Sequence, residues 1–248
     1  MDKFIRSALL GIAIALIAYS GFLAGLQAYN YVQAALSNNK VRMLAGNGGK
    51  DSLLQAIGIR SAGDGQTPAS IAAAQKRIID FETLQKNNPE IVAWLFIPNT
   101  RIDYPIAHTD NNEFYLHHDF FGRYSFSGCL FLDKEDKPDF TNPDSAVYGH
   151  SMANGSMFGT LEYFRRPAFR DSHQIAFVYL PDKTLKYQFV AGELIPPNGK
   201  RLKNTFDFTT LSLYTCAYDQ VGDHYMARFK LLSSTPPGKP AATTPQTQ

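Results

Sequence analysis

Thr209-Thr210-Leu211-Ser212-Leu213-Tyr214-Thr215-Cys216 alternates polar and apolar side chains and then breaks into Ala217-Tyr218-Asp219-Gln220-Val221-Gly222. That alternation describes a half-buried strand, so Cys216 stands at the strand's last residue, beside a turn. A sulfur nucleophile needs such a place: a rigid element, partial exposure, and a nearby cation or base that lowers its pKa from about 8.5. The competing reading of a lone cysteine is a small buried core residue.

Outward from this strand the chain repeats the same texture. Short apolar runs punctuated by Pro, Gly and Asn cover Ile91 to Pro98, Ile102 to Ala107, Gly128 to Leu132, Ala146 to His150, Ile175 to Pro181, Leu185 to Ile195, Leu211 to Cys216 and Tyr225 to Leu232. Eight such runs predict a mainly β domain, a closed barrel or a sandwich. Helical patterns are few. Ser70 is placed to cap a helix in which Ile71, Ala74, Ile78, Phe81 and Leu84 recur until Asn87-Asn88-Pro89 stops it. Two helical insertions are expected, one over Asn112 to His117 and one after Gly155, capped by Ser156 and carrying Met157, Phe158, Leu161 and Phe164.

The ends have a different character. From Ala8 to Leu26 no side chain is charged, and at about 1.5 Å per residue the run spans a bilayer core of about 30 Å. It exceeds the usual apolar core of a cleaved signal, about 7–15 residues, which favours an uncleaved membrane helix over a leader. Lys3 and Arg6 precede it and no Lys or Arg follows until Lys40, so the positive-inside rule puts residues 1–7 in the cytoplasm and the remainder outside. Residues 27–69, with Ala45-Gly46-Asn47-Gly48-Gly49 and a second turn-rich stretch from Ser61 to Pro68, are expected to form a flexible stalk. The folded domain is expected over 70–232, and the Pro, Thr, Ser and Gln of 233–248 form a disordered tail.

Composition narrows the function. The 248 residues have a net charge of +2, which gives no electrostatic basis for nucleic-acid binding. Two cysteines, Cys129 and Cys216, are too few for a disulfide framework, and both read as free thiols; in an exported chain an unpaired cysteine calls for a reason. No Gly-rich phosphate loop and no His–Cys metal spacing is present, so neither cofactor nor metal is expected. The second candidate for chemistry is His150, in Ser145-Ala146-Val147-Tyr148-Gly149-His150-Ser151-Met152. It too closes a strand and enters a loop, where a scaffold presents side chains to a groove.

Taken together these segments resemble the sortases, and class B sortases in particular. Asn88 to Pro98 and Ile102-Asp103-Tyr104-Pro105-Ile106 look like that family's first strands. Tyr148-Gly149-His150-Ser151-Met152, followed by Gly155-Ser156-Met157-Phe158, is similar to its class B histidine motif. Ser212-Leu213-Tyr214-Thr215-Cys216 resembles its Thr-Leu-x-Thr-Cys motif with Ser in the first place. The resemblance covers about Ile71 to Leu232. It implies a closed eight-stranded β-barrel with short flanking helices on the outer face of a Gram-positive-type membrane. It implies that Cys216 attacks the carbonyl of a Thr in the sorting motif of a secreted protein, and that an amine from a cell-wall precursor or a pilin lysine resolves the acyl-thioester. His150 would then be the acid and base.

The family's third residue, an oxyanion-stabilising arginine, stands about eight to ten residues after the cysteine, where this chain has His224, Tyr225 and Met226. Arg228 is the nearest arginine and is assigned that role, with His224 as the alternative. By the same resemblance Asn112, Leu116, Tyr148 and Thr215 line the substrate groove, their other reading being capping, packing and strand propensity. The span from Val190 to Thr209 is shorter than the family's usual helical insertion. Two further outcomes stay open at this level: a hydrolase using the same pair, and a sortase-like binding or assembly module without turnover.

Overall fold

The computed structural model describes residues 3–46, 65–195, 201–216 and 224–238. Eight strands close into a barrel: β1 (Ile91–Phe96), β2 (Asp103–Ala107), β3 (Leu130–Leu132), β4 (Asp144–His150), β5 (Ile175–Tyr179), β6 (Thr184–Ile195), β7 (Thr210–Cys216) and β8 (His224–Thr235). Their order around the barrel is β1-β2-β3-β4-β7-β8-β6-β5. Each expected apolar run supplies one strand. The pairs β2–β3 and β4–β7 are parallel and the others antiparallel.

Alternation along the strands fills the interior. Val147 of β4, Leu211 and Leu213 of β7, and Ala227 and Phe229 of β8 enter one core with Leu95, Ile106, Leu130 and Val178. A second apolar layer lies outside the barrel wall, where Trp94, Phe177 and Tyr179 are covered by Val41, Ala45, Ala74, Phe81 and Leu84 from the helices.

The helices depart from the sequence expectation at several points. The single helix expected from Ser70 to Asn87 is two, α2 (Pro68–Gln75) and α3 (Phe81–Asn87). Thr67, not Ser70, is the N-cap of α2: its side chain accepts from the Ser70 amide, while the Ser70 hydroxyl receives the Thr67 amide. Asp80 opens α3 by accepting from the Thr83 amide.

The insertion over Asn112 to His117 is a single 3₁₀ turn, Phe114–Leu116. Ser156 caps nothing; Asn154 holds its amide and hydroxyl in an Asx turn. The helical segments there begin later, as a 3₁₀ turn at Leu161–Arg165 and α4 (Pro167–Ser172).

The largest departure is in the expected stalk. The N-terminal helix α1 runs from Lys3 to Leu44, so residues 27–44 are helix. Ala34, Ala35, Ser37, Val41, Arg42 and Ala45 are buried against the barrel. The Arg42 Nε–H donates to the Asp103 carbonyl at 3.1 Å, its guanidinium lies over the Tyr104 ring, and Ser37 Oγ donates to Asp119 at 2.7 Å. Polar side chains read as linker are here the ones that bind the helix down. Residues 47–64 lie outside the described residues. At the other end β8 extends through Thr235, with Ser233 and Ser234 paired to Lys186 and Leu185, so strand replaces the start of the expected tail; residues 239–248 lie outside the described residues.

Candidate active site

Strands β4 and β7 are neighbours and run the same way, so both C-terminal ends reach one rim of the barrel. Their register pairs Asp144 with Thr210 and continues residue by residue to His150 with Cys216. Two residues far apart in the chain are thereby set side by side. Cys216 is described as a strand residue; its side chain lies outside the described residues.

His150 is buried, and its Nε2–H donates to the Leu116 carbonyl at 2.8 Å. A carbonyl can only accept, so the neutral ring keeps its proton on Nε2, and Nδ1 is the nitrogen that gains or loses one. The same carbonyl-bearing turn brings the His117 ring to 6.4 Å from the His150 ring. Two glycines allow this closeness. A Cβ at Gly149 would meet Leu130 at 2.2 Å, and one at Gly128, whose φ is +58°, would meet the Tyr115 carbonyl oxygen at 2.4 Å. Beyond His150 the chain turns back through a Ser151–Met157 bridge, and the Phe158 amide donates to the His150 carbonyl.

Around this pair the structure sorts the expected groove residues. The Leu116 side chain is half-buried, and its main-chain carbonyl is the group that holds His150. Tyr148 stacks on Phe131 and Tyr214 and donates its hydroxyl to Asp133 at 2.9 Å. Thr215 is buried; its Oγ1 accepts from the Tyr225 amide at 2.8 Å and donates to the Tyr225 carbonyl, tying β7 to β8. Asn112 is turned to other work, accepting from the Lys134 amide at 2.8 Å and joining the 3₁₀ turn to the loop after β3.

The two candidates for the oxyanion separate clearly. Arg228 pairs with Ser212 across β7–β8, four residues before Cys216, or about 13 Å back along the strand at roughly 3.3 Å per residue. It is buried there, donating from Nε to Ser212 Oγ at 3.0 Å and to the Leu202 carbonyl at 3.3 Å. That placement corrects the expectation for Arg228: its hydrogen bonds fix the β6–β7 connection to the barrel, away from the rim. His224 opens β8 at the rim itself. Its Nδ1–H donates to the Thr215 carbonyl at 2.8 Å, one residue from Cys216.

Sequence reasoning missed a polar cluster behind the rim. Asp144 accepts from Thr210 and Ser212 hydroxyls at 2.6 and 2.7 Å, and Arg201 reaches Asp136 at 3.0 Å, Asp144 at 3.5 Å and Asp133 at 3.7 Å. Three carboxylates around one guanidinium thus anchor the segment leading into β7. Alternation of Thr210 and Ser212 was a visible signal for a polar stripe; the loop residue that completes it was not. Among the described residues no group of His, Cys, Asp and Glu is arranged to hold a metal ion. The other cysteine is a different kind of group: Cys129 is buried, and that burial pushes its thiol up to about 12.

Comparison with known proteins agrees with this geometry. A family model described as a sortase domain matches residues 95–231. Sortase B of Listeria monocytogenes is 36% identical over 94 residues, 38% of this chain and 38% of that protein. Sortase B of Staphylococcus aureus is 32% identical over 108 residues, 44% and 43% of the two chains. The matched stretches span less than half the length of these curated relatives. Among solved structures, sortase B of Clostridium perfringens shares the fold with a TM-score of 0.55 at 24% identity, covering 62% of this chain and 100% of that one. A Streptococcus pyogenes class B sortase involved in pilus biogenesis gives a TM-score of 0.55 at 26% identity, covering 62% and 98%.

Proposed function

Because this chain belongs to the sortase family, we propose that it is a class B cysteine transpeptidase, anchored by α1 and acting through Cys216 and His150. The observation that supports this reading is the register that pairs His150 with Cys216 at the ends of adjacent parallel strands. The barrel together with α2 and α3 is the catalytic domain. The apolar first half of α1, long enough to cross a bilayer, is its membrane anchor, with the N-terminus inside and the barrel outside.

The chemistry follows from the residue types. The Cys216 thiolate adds to the carbonyl carbon of a Thr in the sorting motif of a secreted protein, and the tetrahedral oxyanion collapses with cleavage of the C–N bond. His150, protonated at Nδ1, gives its proton to the leaving amine. The acyl group is then held as a thioester, whose transfer potential lets an amine compete with water without ATP. An amine of a cell-wall precursor or a pilin lysine attacks, His150 takes the proton back, and an amide forms as Cys216 leaves. His224, at the rim beside Thr215, takes the oxyanion position that the sequence reading gave to Arg228. The bond from Nε2 to the Leu116 carbonyl holds the imidazole in one orientation through both proton transfers.

The test is incubation of the full chain with sorting-motif peptides and a diamine or triglycine acceptor, followed by mass spectrometry. An amide product with Cys216-linked acyl-enzyme trapped at short times is the expected result. Free acid as the sole product would replace transfer by hydrolysis, and no trapped thioester with any motif peptide would remove the enzymatic reading in favour of a binding module.

A further inference from the structure

Helix α1 is continuous from Lys3 to Leu44, and the part that docks on the barrel begins only a few residues beyond the part that is apolar. The apolar run ends at Leu26, where Gln27 and Asn30 follow. Tyr31 follows five residues later, about 7.5 Å further along the axis at about 1.5 Å per residue. Each headgroup layer of a bilayer is about 5–7 Å thick. The ring of Tyr31 meets Phe126 edge to face at 5.1 Å between centroids, so the loop before β3 is pinned at headgroup height by a rigid helix.

The side chains at that height suit an interface. Tyr29 and Tyr124 are 59% and 73% exposed, and tyrosine collects where an apolar body meets a wet surface. Between α1 and the loop lies a cavity of about 320 Å³, walled by Asn30 and Gln33 on one side and Asp119, Arg123 and Ser125 on the other. The Arg123 guanidinium pairs with Asp119 at 2.8 Å while most of its side chain stays exposed. The exposed Arg123 guanidinium at this mouth matches the phosphate of a phospholipid headgroup, while the buried Asp119 carboxylate is taken up by Ser37 and Arg123 and holds that guanidinium in place.

We propose that the barrel is seated on the outer membrane surface through Tyr29, Tyr31, Arg123, Tyr124 and Phe126, with phospholipid headgroups as the partner. This rests on the reading of α1 as a membrane anchor and goes beyond it: a free stalk would let the domain roam, whereas this helix sets its height and its lower face. The consequence for the site is direct. The Ser125 amide donates to the His117 carbonyl at 2.8 Å, next to the Leu116 carbonyl that holds His150. Met157, bridged to Ser151 next to His150, meets Asn38 of α1. The candidate catalytic rim is therefore held between the heights of Tyr31 and Asn38, roughly 7–18 Å above the end of the apolar run. Substrates reach it when presented at the membrane surface.

The test uses the full chain carrying Cys216→Ala, with a bimane fluorophore on either Tyr124→Cys or Glu82→Cys. Both sites are exposed; Cys129 is buried and unreactive. Glu82 lies at the far end of the docked helix, where the Asp80 amide meets the Ala45 carbonyl. The labelled proteins are reconstituted into phosphatidylcholine–phosphatidylglycerol vesicles containing a lipid with a nitroxide on its headgroup, and vesicle flotation is measured in parallel. Flotation with quenching at position 124 several-fold above that at position 82 is the expected result. Equal quenching at the two positions in protein that floats overturns the seating and leaves the anchor intact. Protein that does not float overturns the anchor and the seating together.

Discussion

Replacing Arg201 by Met tests the polar cluster behind the rim most directly. Arg201 is the shared partner of Asp133, Asp136 and Asp144, with Asp136 almost fully enclosed and the arginine itself about a quarter exposed. Breaking a buried ion pair by removing one partner costs about 3–5 kcal/mol. Because water reaches part of the guanidinium and screens the pairs, the cost falls below that range, to about 2–3 kcal/mol, or roughly 4–12 °C in Tm for a domain of this size. The pH dependence carries a sign. Burial raises the Asp136 pKa above its ordinary value even with Arg201 beside it. The folded protein therefore binds that proton more tightly than the unfolded chain does. Ionised Asp136 subtracts from stability once the pH exceeds the unfolded carboxylate value of about 4, fully so above the raised one. Without Arg201 the pKa climbs further and the subtraction grows. The gap in Tm between the parent and Arg201→Met should then be widest near pH 7 and close as the pH falls towards 4. Adding Asp136→Asn, which can still accept from the Ala146 amide as Asp136 does at 2.7 Å, should recover part of the loss. Calorimetry from pH 4 to 8 on the four proteins of the cycle measures this. A gap that stays constant with pH, or one untouched by Asp136→Asn, would refute the reasoning.

Other outcomes follow from single contacts. Cys216→Ala should abolish acyl-enzyme formation with Tm unchanged, and iodoacetamide should modify the native parent once and this variant not at all, since the Cys129 thiol is buried and held in its protonated form. His224→Ala should lower kcat by about 10²–10³, the usual loss for one oxyanion donor, with little effect on stability. Arg228→Ala should show the reverse: it strips Ser212 and the Leu202 carbonyl of a buried donor, and calorimetry should register a loss of about 2–3 kcal/mol. Gly149→Ala should lower Tm markedly, because its Cβ would sit 2.2 Å from a Leu130 methyl inside the barrel. Turnover comparable to the parent in a stable Gly149→Ala protein would mean that the β4 end tolerates displacement and that His150 is not fixed by packing.

The barrel was legible because strand identity is local. Each of the eight runs carries its own β-branched, aromatic and turn residues, and all eight are strands. Placing Cys216 and His150 beside one another was legible only through motif resemblance; nothing in the alternation of either strand says that β4 and β7 are neighbours. Two kinds of error had physical causes. Helix periodicity from Ser70 to Asn87 ran unbroken through Lys76 to Asp80, where the chain turns because Asp80 offers a better cap for a second helix. Residues 27–44 read as stalk because their burial is tertiary: Ser37, Arg42 and the alanines face the barrel, and polar residues satisfied by a distant partner look in sequence like solvated ones. The place of Arg228 was not legible for a related reason: position along a strand relative to its neighbour depends on the β7–β8 register, which pairs it with Ser212, four residues before Cys216.

The parallel pairing of β4 and β7 explains why the rest of the machinery is built from loops. In an antiparallel pair the two C-terminal ends lie at opposite rims, whereas a parallel pair brings both to one rim and needs a long crossover to do so. The crossover here contains the 3₁₀ turn, α4, β5 and β6. His150 and Cys216 can therefore be set by the sheet, while the groups around them come from loops and a strand start: the Leu116 carbonyl before β3, Arg201 in the approach to β7, and His224 as β8 begins. Loop exchange that preserved the β4–β7 register should accordingly change rate and substrate preference more than it changes which atoms react. A loop change that moved the trapped acyl group from Cys216 to another residue would contradict that division.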